Sequence, residues 1–128
     1  MKLSTISWIL VILSALFDSY TSFIVKSQMN LVGKMEYNSL RSILSYLWNF
    51  FQSPLLLTAL LTFILAPVLW FFSLNHLNLS SAYPILISLH LLFVLIFGVA
   101  FLEEQFTINK AAGFFFLLIS IILLYNDK

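Results

Sequence analysis

PLLLTALLTFILAPVLWFFSL, residues 54–74, runs its whole length without a charged side chain. About 20 consecutive apolar residues in one α-helix cross the roughly 30 Å hydrocarbon core of a bilayer, so this stretch reads as a membrane span. Three similar runs surround it. Residues 6–25 carry one charge, Asp18; residues 82–102 carry none; residues 108–125 have Lys110 near their start, where a long side chain can snorkel to the interface. The chain is therefore read as an all-α integral membrane protein, with four transmembrane helices in a single domain over residues 1–128. Composition agrees: 62% of residues are hydrophobic and only 9% charged, where a soluble domain carries about a quarter. A net charge of +1 leaves no basic surface for nucleic acid. The lack of cysteine removes disulfides, thiolate metal sites and cysteine nucleophiles. Lys2 with the apolar run 8–17 has the look of a signal peptide, but no small-residue cleavage site follows and Asp18 interrupts the run.

The connections are unequal. Residues 74–82 and 102–107 are short, which makes the last three spans a series of antiparallel hairpins. The first connection is long. In it Leu40, Ile43, Leu44, Leu47, Trp48 and Phe51 recur at helical spacing, opposite Arg41, Ser42, Ser45, Asn49 and Gln52. That pattern predicts an interfacial amphipathic helix over residues 39–52, capped by Asn38 or Ser39. The alternative is a simple extension of the second span. Lysine and arginine count gives orientation little purchase. Lys26, Lys34, Arg41 and Lys110 oppose Lys2, Lys128 and the α-amine, a slight lean towards a cytoplasmic long connection that also fits insertion both ways round.

Polar residues within spans must face protein or water. Ser7, Ser14, Asp18, Thr21 and Ser22 form one stripe of the first helix. Asp18 lies about 18 Å along that helix from Ile6 at 1.5 Å per residue, beyond easy snorkelling reach. A low-dielectric setting disfavours the charged form of a carboxyl. Asp18 is thus the candidate for trading a proton against a cationic or polar substrate; the alternative is a protonated, hydrogen-bonded structural aspartate. His90 is the second candidate, seven residues from Tyr83 on the third span, as a proton partner or as a neutral interhelical bonder. Thr58 and Thr62 share a face but bond readily to their own backbone. Pro67 is read as a kink that makes room beside a cavity. Gly113 and Ser120, seven apart, suggest a seam where the fourth span packs closely, within the chain or between two chains. The surrounding Phe114–Phe116 carry no site. Glu103 and Glu104 read as a solvated helix end. With no phosphate loop, HExxH pair or GxSxG elbow, no enzyme, metal or cofactor is expected.

Three groups of residues together resemble the drug/metabolite transporter superfamily, in its small multidrug resistance and EamA-like four-helix branch. One is the turn of form LxLSxAYP at residues 77–84. Another is the sequence Glu104, Thr107, Lys110, Gly113 between the last two spans. The third is an acid, Asp18, eight residues before a lysine, Lys26. Where quaternary-ammonium exporters of this branch place a tryptophan, Leu86 stands here. The proline after the tyrosine and the long first connection look more like the paired subunits that flip aminoarabinose attached to undecaprenyl phosphate.

The resemblance implies a secondary transporter or flippase, working by alternating access as a homo- or heterodimer in a bacterial inner membrane. Its substrate would be a small polar, cationic or lipid-linked molecule. Asp18 would bind substrate or proton, with Ser14, Thr21, Tyr83 and His90 lining the site. The other reading is a non-transporting membrane subunit that stabilises a larger complex through the amphipathic connection and the fourth span.

Overall fold

The computed structural model describes residues 3–34 and 38–126; Lys2 and Lys128, used in the charge count, lie outside them. It is helical, with no strand among the described residues. Five helices follow one another: α1 (Leu3–Val32), α2 (Leu40–Phe51), α3 (Leu55–Ser73), α4 (Leu79–Phe101) and α5 (Ile108–Asn126), with one 3₁₀ turn at Leu74–His76. All but α2 are long and apolar enough to cross a membrane, four in all.

Helix α1 exceeds the expected 6–25 at both ends. At 30 residues it is about 45 Å long, more than a hydrocarbon core needs, and Asp18 falls at its middle. Helix α4 begins at Leu79, earlier than expected. Pro84 misleads here because it sits in the second turn, where its missing N–H deprives only the Ser80 carbonyl near the helix start. Helix α2 is a separate element. Ser39 caps it through a reciprocal box with Ser42: the Ser39 hydroxyl accepts from the Ser42 amide at 3.2 Å, and the Ser42 hydroxyl accepts from the Ser39 amide at 3.3 Å. Gln52 ends it and Pro54 precedes the next helix. The expected apolar stripe at Leu40, Leu44, Trp48 and Phe51 is exposed, while Phe50 turns inward as the helix's buried residue.

Helix α1 is the axis of the bundle. It packs along α3 on one side and α4 on the other, whereas α5 packs chiefly on α4. Many of the buried residues are small: Ser7, Ser14, Ala15 and Ser19 of α1, Ala59, Ala66 and Ser73 of α3, and Ala82, Ser88 and Gly98 of α4, beside larger ones such as Val11, Ile85 and Leu92. Lipid is as apolar as a leucine core, so helices in a membrane gain by close approach of backbones and by hydrogen bonds between them. Two such bonds tie α1 to α3: Ser14 Oγ donates to the Ala66 carbonyl at 2.7 Å, and Thr21 Oγ1 lies 2.8 Å from Thr62 Oγ1. A second hydroxyl pair, Tyr20 with Thr58 at 3.0 Å, and the contact of Thr21 Oγ1 with the Ala59 carbonyl at 3.2 Å extend the zip.

The fourth span departs from expectation. No residue of α5 is buried, and a Cβ added at Gly113 would meet nothing within 4 Å. Within the chain, then, Gly113 faces open space and forms no seam. The Tyr125 ring, near the end of α5, touches Trp8 of α1 with centroids 5.3 Å apart. Lys110 does not reach for the interface alone: its Nζ pairs with Glu104 Oε2 at 3.2 Å. Glu104 is correspondingly no freely solvated helix end.

Candidate functional site

The sides of α3 and α4 diverge over α1 and leave a cavity of about 210 Å³ with α1 as its floor. Ser14, Ala15 and Asp18 come from α1; Phe63, Ala66, Pro67 and Trp70 from α3; Tyr83, Leu86 and His90 from α4. Small residues explain why the cavity exists. Ala15 and Ala66 let the helices touch below it, and Pro67, which has no N–H for the Phe63 carbonyl, interrupts the regular bonding of α3 at its wall.

Asp18 Oδ2 stands 3.1 Å from His90 Nδ1. The Asp18 side chain is 51% exposed and that of His90 26%, so the pair sits on the floor of an open groove, not inside a sealed core. Ser19, fully buried between α1 and α4, fixes the imidazole. Its Oγ is 2.6 Å from the Ala15 carbonyl, 3.1 Å from the His90 carbonyl and 3.1 Å from His90 Nδ1. A hydroxyl has a single proton, and the two carbonyls are the acceptors that compete for it. Nδ1 thus lies between two oxygens, Ser19 Oγ and Asp18 Oδ2, each at 3.1 Å.

Of the residues expected to share a site, Ser14, Asp18, Tyr83 and His90 line this cavity and Thr21 does not. Thr21 turns towards α3, where its hydroxyl is taken up by the Phe17 and Ala59 carbonyls and by Thr62. Ser14 spends its proton on Ala66 and serves as wall. Ser7 is buried on its own helix and Ser22 bonds the Asp18 carbonyl. The stripe thus divides between packing and cavity.

Two residues were missed. Ser19 lies one step around the helix from Asp18, off the stripe, and only the position of α4 reveals its role. Trp70 supplies the aromatic face that Leu86 lacks, from α3 instead of α4; its ring centroid is 6.0 Å from that of Tyr83. An uncharged span containing one tryptophan beside Pro67 was the available signal. Carboxylate, imidazole and two electron-rich rings together suit a cation, since aromatic faces attract positive charge.

Compared with known families, residues 5–126 match the model of the EamA-like transporter family. No curated protein and no solved structure matches the chain.

Proposed function

We propose a mechanism that starts from family membership: the chain belongs to the EamA-like transporter family, and it is a membrane transporter. On our reading its cargo is a small organic cation or amine, free or carried on a lipid, exchanged for a proton. The observation that carries the reading is the Asp18–His90 pair at 3.1 Å in a cavity walled by Trp70 and Tyr83.

Charge balance makes the pair an exchanger. With His90 doubly protonated, imidazolium and carboxylate neutralise each other, and an arriving cation would leave a net positive charge in a poor dielectric. Release of one ring proton restores one negative charge, which the cation neutralises while resting against the rings. Proton and cation thus exclude each other, the minimum required for antiport. An isolated chain leaves the groove open and Asp18 half exposed, a costly state in lipid. A second copy, or a related chain, closing the groove near the midplane would exclude lipid and provide alternating access. On this reading the working unit is a dimer, similar to the small multidrug resistance and lipid-sugar flippase assemblies of the superfamily, in a bacterial inner membrane. Family membership favours it over a non-transporting subunit.

The test is proton movement in proteoliposomes loaded with a pH-sensitive dye and challenged with a quaternary ammonium, a guanidinium and a diamine. At least one compound is expected to drive proton flux in wild type and none in Asp18→Asn. Full flux with an unshifted pH profile in Asp18→Asn would end the coupling reading.

A further inference from the structure

Another cavity, of about 290 Å³, mostly apolar with charged groups at one end, runs between α1 and α4 from Ser19 and Leu91 to the α4–α5 turn. That volume is just below the range for drug-sized ligand pockets, about 300–1,000 Å³, and suits a small group. Two ammonium groups reach it, Lys26 from α1 and Lys110 from α5, with the carboxylate of Glu104. The apolar wall includes Phe23, Leu91 and Phe97.

Glu104 is held there by the chain itself. Glu103 takes a left-handed conformation (φ 55°), and the Leu102 and Glu104 amides both donate to the Gly98 carbonyl, at 3.2 and 3.1 Å. The turn folds the Glu104 side chain back over Gly98 so closely that a Cβ there would lie 3.1 Å from Oε2. Glycine at 98 makes that approach possible. From this position Glu104 pairs with Lys110 at 3.2 Å.

The charges do not balance. Glu104 compensates Lys110, and among the described residues no group bonds or pairs with the Lys26 ammonium. The C-terminus of α4 and the N-terminus of α5 meet at this end, and their opposed dipoles offset one another. One positive charge is left over. Lys26 keeps three donor hydrogens and Lys110 keeps two beyond its bond to Glu104.

We propose that this cavity is an anion site for a phosphate group, held between the Lys26 and Lys110 ammonium groups, with Glu104 positioning Lys110 and limiting affinity. Its chemistry is the opposite of the Asp18 cavity, and it stands whether or not that pair moves a cation. The phosphate can belong to a lipid headgroup, whose chain would lie on the Phe23, Leu91 and Phe97 wall, or be free in solution.

The experiment is isothermal titration calorimetry of the purified chain in uncharged maltoside detergent, at matched ionic strength in sodium chloride. Two probes are used separately: inorganic phosphate and short-chain dihexanoyl phosphatidic acid. Saturable binding of at least one probe is expected. Lys26→Gln should weaken it about tenfold, the loss of one charge-assisted contact, and Lys110→Gln should weaken it too. Glu104→Gln should tighten it several-fold by removing the competing carboxylate, an effect that general destabilisation would not give. Lys34→Gln, an exposed lysine outside the cavity, should leave it unchanged. Binding of both probes assigns the site to the phosphate group itself, and binding of the lipid alone assigns it to a headgroup. No saturable binding of either probe, or equal weakening by Lys26→Gln and Lys34→Gln, overturns the proposal.

Discussion

Removing the hydroxyl of Ser19 should do more than its size suggests. Ser19→Ala loses a bond from α1 to the His90 carbonyl, worth on average about 0.6 kcal/mol between helices in a membrane, and frees Nδ1 from one of the two oxygens beside it. Thermal unfolding in detergent should record a small loss. The proton-coupled flux should lose much more, because the imidazole can now turn from Asp18. Trp70→Ala is expected to raise the cation concentration needed for half-maximal flux by about fivefold or more, the loss of a desolvated cation–π contact, with little effect on proton leak. An unchanged concentration dependence would mean the ring is only packing. Asp18 and His90 were legible as candidates because polar atoms inside apolar runs are costly and stand out. Their pairing was not legible, because it depends on the register of two helices, and Ser19 is one of many serines until α4 is in place.

Helix α2 owes its start to two serines, and Ser39→Ala should remove the cap. The expected cost is about 1 kcal/mol, confined to α2, and hydrogen exchange should speed up at the amides of residues 41–43 while α1 and α3 remain protected. Here the sequence was informative, since a helix cap is local chemistry and period 3.6 is visible without partners. Phe50 was harder to read. It is off the apolar stripe, yet it is the residue α2 turns to the bundle, because α2 meets the other helices along a narrow edge and leaves most of its large apolar side chains outside that contact. In the sequence Glu104 reads as a solvated helix end and Lys110 as a lysine snorkelling from the start of a span. Their pairing depends on the positive φ of Glu103 and on the close approach allowed by Gly98, which no residue pattern announces.

For the assembled protein, α5 is the place to test association. Gly113→Leu has room within the chain, so the isolated fold should keep its thermal stability. If α5 meets a second chain along Gly113 and Ser120, crosslinked dimer should fall at least severalfold in that variant, because leucine would hold the backbones apart. Unchanged crosslinking would leave that face to lipid and move the expected contact to the groove above Asp18. The four spans could be read from hydropathy alone. Which of them touch could not, since every apolar face is equally content in lipid and only small residues and hydroxyl pairs distinguish a neighbour from solvent.

The distance along the chain between the two halves of the Asp18–His90 pair also bears on how the protein is made. Ser19, the neighbour of Asp18, and His90 are 71 residues apart, and at about 5–20 residues per second a ribosome needs roughly 4 to 14 s to reach the imidazole after making this part of α1. During that interval α1 meets the insertion machinery with an unmatched carboxyl at its centre, where an aspartate costs about 2.5–3.5 kcal/mol on the insertion scale. Each flanking leucine, isoleucine or phenylalanine returns only about 0.3–0.6 kcal/mol. The carboxyl thus offsets much of what the apolar residues of α1 contribute, and α1 is expected to insert less completely until α4 arrives. A glycosylation-reporter insertion assay of nascent chains stalled before His90 should find α1 less completely inserted than in the full chain, and Asp18→Leu should remove the difference. The candidate pair can therefore form only once α4 has been made, and synthesis must carry the first helix across a delay that the finished structure no longer shows.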